Sequence, residues 1–212
     1  MRLETETGLD VTVLEAVLEC GQSEARQALA RQLAALVADP ETSAIEKEQV
    51  IPVLLKLSTD MDRDVRVVLA EELVTIEGLH QDMIFSVIAD EDAIALPFLA
   101  ATPALNAWHM QAILRIGDEG RQKTVAARPD ISSDAVSFIV RAGSAVAVTT
   151  VLRNKKAKLT SQDLHQIFAR LGQSGDVVDE LLSRADLPLD IRITQAKRAA
   201  VRMRQMMAER GW

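Results

Sequence analysis

The sequence predicts an all-α fold, a solenoid of short helical hairpins stacked side by side, and three observations predict it. Val65-Arg66-Val-Val-Leu69-Ala70-Glu-Glu-Leu73 echoes Ala25-Arg26-Gln-Ala-Leu29-Ala30-Arg-Gln-Leu33 at a spacing of 40 residues, and self-similarity at such a period marks a repeat architecture. Apolar side chains recur at helical rather than alternating intervals. Nine Gly and six Pro in 212 residues are too few for a protein of strands and tight turns.

Composition narrows the core chemistry. Apolar residues make up 48% of the chain, aromatics only 3%, and Tyr is absent. The interior must then be built from Leu, Ile, Val, Ala and Met, which suits close helix-on-helix packing. A lone cysteine, Cys20, has no internal disulfide partner, and it reads as a small buried thiol beside Glu19. The polar, acidic stretch Met1–Asp10 lacks a signal-peptide apolar region. The longest apolar run, Ala93 to Ala101, is too short for a membrane span and contains Pro97. A cytoplasmic, water-soluble chain is expected.

Charge is unevenly spread: residues 1–100 carry 20 acids and 7 bases, residues 101–212 carry 11 acids and 17 bases. Such a gradient bears on partners and steering rather than on fold.

A first helix is expected from about Val11 to Leu18, then a turn at Gly21-Gln-Ser23 with a capping residue. A second, from about Glu24, places Leu29, Leu33 and Leu36 on one side and stops at Asp39-Pro40. Ser43 opens the next, which carries Ile51, Leu54 and Leu55, with Pro52 bending it. Asp60, Asp62 and Asp64 precede a helix from about Val65 to Ile76, where they can cap its N-terminus.

Residues 43–76, with a proline-kinked first helix, an aspartate turn and then Val65-Arg66, resemble a HEAT repeat. The resemblance implies that Asp60 or Asp62 and Arg66 form an inter-repeat polar ladder. Beyond residue 80 the period shortens. Gly117 to Thr124-Val125 recurs as Gly143 to Thr150-Val151, and Arg128-Pro-Asp-Ile-Ser132 returns as Arg184-Ala-Asp-Leu-Pro188. This succession, with Asp90 to Leu99, is similar to a bacterial HEAT-like repeat family of unknown function, the domain of unknown function 2336, over most of residues 20–190. The resemblance implies one HEAT-like or armadillo-like right-handed superhelix over residues 1–212, with 189–210 as a C-terminal capping or association helix. It carries over no catalytic residues.

Chemical motifs are sparse. Asp60, Asp62, Asp64 and Glu71 match a calcium-loop spacing, but Val65 stands where the sharp turn needs Gly, and helix capping explains these acids better. His80, His109 and His165 share no metal-ligand spacing and read as partly exposed helix residues. No phosphate loop and no Gly-x-Ser-x-Gly elbow appears. No cofactor or metal is expected, and an enzyme is the less favoured class.

Two clusters near the C-terminus remain. Arg153, Lys155, Lys156 and Lys158, with Lys197, Arg198 and Arg202 on the last helix, form a candidate polyanion patch. By resemblance to HEAT-like DNA glycosylases such a patch could grip nucleic acid, but the chain is acidic overall, at −7, and few aromatics lie nearby. Ile193, Ala196, Ala200, Met203 and Met207 recur at 3, 4, 3, 4 spacing, a stripe that would pack on the preceding helices or pair with a second copy as a homodimer. Terminal Trp212 would add an apolar group there. The leading function is a scaffold or adaptor binding another protein along a ridge near Arg26, Arg31, Arg66 and Glu72.

Overall fold

The computed structural model describes residues 11–210, and among these it contains thirteen α-helices and no strand. The expectations placed on Met1–Asp10, on Trp212 and on the Cys20 side chain lie outside the described residues.

The helices gather into two compact units that divide between Leu105 and Asn106. The first unit holds α1 (Val11–Cys20), α2 (Ser23–Ala38), α3 (Ala44–Ser58), α4 (Arg63–Leu73), α5 (Gln81–Ile88) and α6 (Asp92–Ala101). Its helices form two layers, α1, α3 and α5 in one, α2, α4 and α6 in the other, and successive members of each layer touch. The second unit holds α7 (Ala107–Ile116), α8 (Glu119–Ala127), α9 (Ser133–Ala142), α10 (Ala145–Arg153), α11 (Ser161–Leu171), α12 (Gly175–Ser183) and α13 (Leu189–Glu209). Here α7, α9 and α11 make one layer, and α8, α10 and α12 the other.

Local chemistry explains why such short rods hold their ends. A helix leaves its first N–H groups unpaired, so eight to sixteen residues are unstable without caps. Ser43, Asn106 and Thr160 form capping boxes with Glu46, His109 and Asp163. Asp62, His80, Asp118, Ser132 and Ser144 cap α4, α5, α8, α9 and α10. The expected cap at Ser23 is absent. Gln22 precedes α2 without a side-chain bond, and the Ser23 hydroxyl bonds the Asp62 carboxylate instead, which with the Asp64 N–H holds Asp62 below the usual carboxylate range. His109, expected to be partly exposed, is buried by its capping role.

Pro52 and Pro97 lie inside α3 and α6, yet both helices run through. Both prolines are exposed, so the backbone groups they leave unpaired face solvent rather than the core.

Each core is aliphatic, as composition requires. In the first unit Leu33, Leu54, Leu57, Leu69, Leu73, Met83 and Ile84 are buried, with Phe98 the one large aromatic. In the second Ile113, Leu114, Val125, Ile139, Val151, Ile167 and Leu181 are buried. Each such side chain contributes about 1.5–3 kcal/mol by leaving water. The helical face was displaced by one position in places: Val37 is buried where Leu36 was expected, and Val53 and Leu57 flank Leu54 where Ile51 and Leu55 were expected.

Within each unit, polar side chains tie neighbouring hairpins together. In the first unit, Arg26 Nε donates to Asp60 Oδ2 at 2.7 Å and its Nη1 to the Gly21 carbonyl at 2.6 Å. Arg66 repeats the arrangement, with Nε on Asp90 Oδ2 at 2.7 Å and Nη1 on the Asp60 carbonyl at 2.8 Å. The ladder implied by the HEAT resemblance is therefore present with different rungs. Asp60 serves Arg26 of the preceding hairpin, and Arg66 reaches forward to Asp90.

The second unit uses helix-end carbonyls in place of carboxylates. Arg170 of α11 donates to the carbonyls of Ile139, Val140 and Gly143 at the end of α9. Asn154 Nδ2 donates to the Ala126 and Arg128 carbonyls at the end of α8, and Arg184 Nη1 to the Leu152 carbonyl at the end of α10. Gln122 of α8 donates to the Leu114 carbonyl of α7 and accepts from the Ser144 N–H that starts α10. The repeated Arg-x-Asp element folds the same way twice: Arg128 grips Asp130, and Arg184 grips Asp186, each with two parallel bonds of 2.7–2.9 Å. These pairs hold both aspartates below the usual carboxylate range. At Gly143 a Cβ would lie 2.8 Å from the Ile139 carbonyl oxygen, so the chain leaves α9 closely enough only without a side chain.

Two outcomes follow. Asp60→Ala leaves the largely buried Arg26 without its carboxylate and should destabilise the chain by about 2–3 kcal/mol in urea unfolding, whereas Arg31→Ala, whose exposed pair with Glu72 spans 3.8 Å, should cost less than about 0.5 kcal/mol. Arg170→Met strands three carbonyls and should cost roughly 2–3 kcal/mol by the same measurement.

Candidate protein-interaction surface

The ladder decides which expected ridge residues are available. Arg26 and Arg66 are engaged by Asp60 and Asp90 and are only 19% exposed at the side chain. Arg31 and Glu72 face solvent as a loose pair. On the same unit, α4 and α6 border a groove of about 290 Å³ lined by Val67, Val74, Ala93, Pro97 and Phe98.

The basic residues of the second unit also separate. Lys155, Lys156 and Lys158 are exposed on the connection between α10 and α11. Arg153, grouped with them by sequence, is paired with Glu180 at 2.6 Å. On α13, Lys197 and Arg202 are exposed. Arg198 instead lies 4.9 Å from the Phe168 ring centroid and donates to the Gly172 carbonyl at the end of α11. Two members of the predicted patch are thus committed within the fold.

Helix α13 holds the largest departure from expectation. Its N-terminal half docks: Ile191 and Gln195 are buried, Arg192 donates to the Arg184 carbonyl, and His165 Nε2 meets Asp190 Oδ2 at 2.8 Å. Of the two expectations for the stripe, packing on the preceding helices or pairing with a second copy, the first is not met. Ile193, Ala196, Ala200, Met203 and Met207 are all exposed, with Met203 at 66% and Met207 at 43%. The reason is angular. At 100° per residue Ile191, Gln195 and Arg198 share one side, and the stripe lies on the opposite side. From Ala199 to Arg210 every residue is exposed, and Met206 and Val201 add apolar surface. A shallow depression of about 350 Å³ runs over Ala199, Met203, Met206 and Met207, edged by Arg202 and Arg210.

Among the described residues no group of three or more His, Cys, Asp or Glu side chains is placed to hold a metal ion. The calcium-spaced acids are occupied otherwise, Asp60 by Arg26 and Asp62 by Ser23 and the Asp64 N–H. No helix among the described residues is long and apolar enough to cross a membrane.

Sequence reasoning missed Arg170, Gln122 and Asn154, whose ties organise the second unit. The twofold Arg-x-Asp echo pointed to Arg128 and Arg184. Arg170 carried no signal, because its partners are backbone carbonyls without side-chain identity.

Among the described residues the geometry is all-helical, made of short, mutually tied helices, the last of which, α13, is partly uncovered. The chain belongs to a bacterial family of uncharacterised proteins, DUF2336, which matches residues 94–212, a span containing all of α7 to α13 rather than the 20–190 expected. No curated protein and no solved structure matches the chain.

The α11–α13 junction predicts a pH dependence. The hydrogen bond that the His165 ring donates to the Asp190 carboxylate raises the His165 pKa above 6.5 and lowers that of Asp190. The His165 contribution is complete below its unfolded pKa and is lost as pH rises through the raised folded value. The Asp190 contribution is present above its unfolded pKa and is lost as pH falls through the lowered one. In an NMR titration the His165 midpoint should fall back toward 6.5 in Asp190→Asn.

Proposed function

We propose that the chain is a non-catalytic scaffold that binds another protein, built on the HEAT-like plan of stacked hairpins. The sequence reading of one right-handed solenoid over residues 1–212 belongs to this proposal. Two helix layers in each unit and the Arg–Asp rungs from Arg26 to Asp90 support the plan.

The observation that carries the functional reading is the uncovered apolar stripe of α13. Contiguous apolar surface on an otherwise polar helix exposes methylene and thioether groups that gain by leaving water, and such surface marks an interaction site. The docked first half of α13 holds the stripe in a fixed place, which lowers the entropy lost on binding. The exposed Arg31–Glu72 pair and the ridge around it are a second contact region in this reading. The nucleic-acid alternative is weaker, because Arg153 and Arg198 are used within the fold.

Affinity capture from a bacterial lysate, with the full chain and with Met203→Asp/Met207→Asp, tests the reading. A discrete protein should be retained near stoichiometry by the first and lost by the second, with far-UV circular dichroism unchanged because both residues are exposed. No stoichiometric partner, together with salt-sensitive retention on a polyanion column lost in Lys155→Glu/Lys156→Glu, would favour the nucleic-acid reading.

A further inference from the structure

The α13 stripe has a heptad register and a single sign of charge along its edges, and together these specify what covers it. Ile193, Ala196, Ala200, Met203 and Met207 follow alternating steps of three and four, the spacing of the contact positions in a two-helix seam. In that register Lys197 and Arg204 fall on the flank after the seam, and Arg192 falls on the flank before it. From Ile191 to Ala208 the helix has five basic residues and no acid. Among the described residues, Lys197 and Arg202 are exposed with no carboxylate partner, and Arg204 reaches only the Ala200 carbonyl of its own helix.

Three occupants could bury such a stripe, and the side chains choose between them. A second copy of α13 is disfavoured in both orientations. Antiparallel pairing sets Lys197 and Arg204 against the same residues, and parallel pairing sets Arg192 against Lys197; like charges across a seam oppose association. A lipid surface is disfavoured by the stripe itself. Ala196, Ala199 and Ala200 offer little area to insert into acyl chains, and aromatic residues are absent from the described part of α13. Small residues next to Met203, Met206 and Met207 instead let a second backbone approach closely while flexible thioethers fill the remaining gaps.

We propose that α13 receives an amphipathic helix from another protein, one that carries carboxylates on the flanks of its apolar stripe, opposite Lys197 and Arg204. This rests on the scaffold reading and adds the chemistry of the partner. The apolar seam supplies the contact area, and the cationic flank selects acidic over basic helices and sets register. The N-terminal half of α13 stays docked through Ile191 and Gln195, so binding requires no rearrangement of the fold.

The test uses the full chain and two labelled peptides of about twenty residues. Both carry Leu at the seam positions, with Glu on the flanks of one and Lys on the flanks of the other. In fluorescence anisotropy the Glu peptide should bind at least about tenfold more tightly than the Lys peptide, and raising NaCl from about 50 to about 300 mM should narrow the difference. Met203→Asp/Met207→Asp should abolish binding of the Glu peptide. Lys197→Glu/Arg204→Glu should reverse the preference, so that the Lys peptide binds better. Equal binding of both peptides, or no reversal on charge exchange, overturns the proposal. So does a concentration-dependent dimer in sedimentation that Met203→Asp/Met207→Asp removes without any peptide binding. Co-sedimentation with phosphatidylserine vesicles, again without peptide binding, overturns it as well. If lysate capture through α13 succeeds with a partner lacking acidic flanks, the scaffold reading stands and this proposal alone falls.

Discussion

The structure depends on satisfying the ends of many short helices. Thirteen helices in 200 described residues create far more unpaired backbone groups than a few long rods would. In eight of them the N-terminal N–H groups are met locally by caps, because a Ser, Thr, Asp, Asn or His side chain just before the helix can accept from an N–H two or three residues further on. Their C-terminal carbonyls have no such local partner, so neighbouring hairpins must supply donors. Arg170 on α9, Asn154 on α8, Arg184 on α10 and Arg198 on α11 all do this. Stacking order and polar satisfaction are thereby the same constraint. A hairpin out of place would leave both its apolar face and its neighbour's carbonyls uncovered.

The two units meet this constraint with different chemistry. In the first, Arg26 and Arg66 each bond a carbonyl of their own turn and a carboxylate of the next hairpin. The carboxylate offers two strong acceptors to the fork of a guanidinium. In the second, the guanidinium of Arg170 sits on three carbonyls at the negative end of a helix dipole. With no carboxylate beside it, its burial lowers its pKa, although it stays charged at any ordinary pH. Both solutions leave the buried polar side-chain atoms of the described residues paired, which is the condition for polar groups to lie against an aliphatic core without a large penalty.

Helix α13 stands apart because it is longer than the docking surface beneath it. Its first turns are held by Ile191, Gln195 and the His165–Asp190 pair. Beyond Arg198 every described residue of α13 is exposed, so its own hydrogen-bond ladder and its helix-forming Ala, Met, Arg and Gln residues stabilise it there. A rod anchored at one end and apolar along one uncovered side is a rigid handle, and this links the packing of the second unit to the proposed binding of a partner.

The sequence by itself determined the helical class, the approximate starts of the first four helices and of the last, and the repeat relation between Arg26 and Arg66 and between Arg128 and Arg184. These are local properties: a cap such as Ser43 with Glu46, or a stop such as Asp39-Pro40, acts within a few residues, and equal segments in equal settings fold alike. Only the tertiary structure decided which groups meet. The Asp60 carboxylate turned back to Arg26, 34 residues away, and left only its carbonyl to the nearer Arg66, because packing and not sequence distance selects the partner. The pairing of exposed Arg153 with Glu180, the docking of Arg198 on Phe168 and the Gly172 carbonyl, and the exposure of Met203 and Met207 were likewise undecidable from spacing. A heptad stripe specifies that a helix has an apolar side, but the rotation at which Gln195 and Arg198 meet the end of α11, with Ile191 buried, decides whether that side is covered.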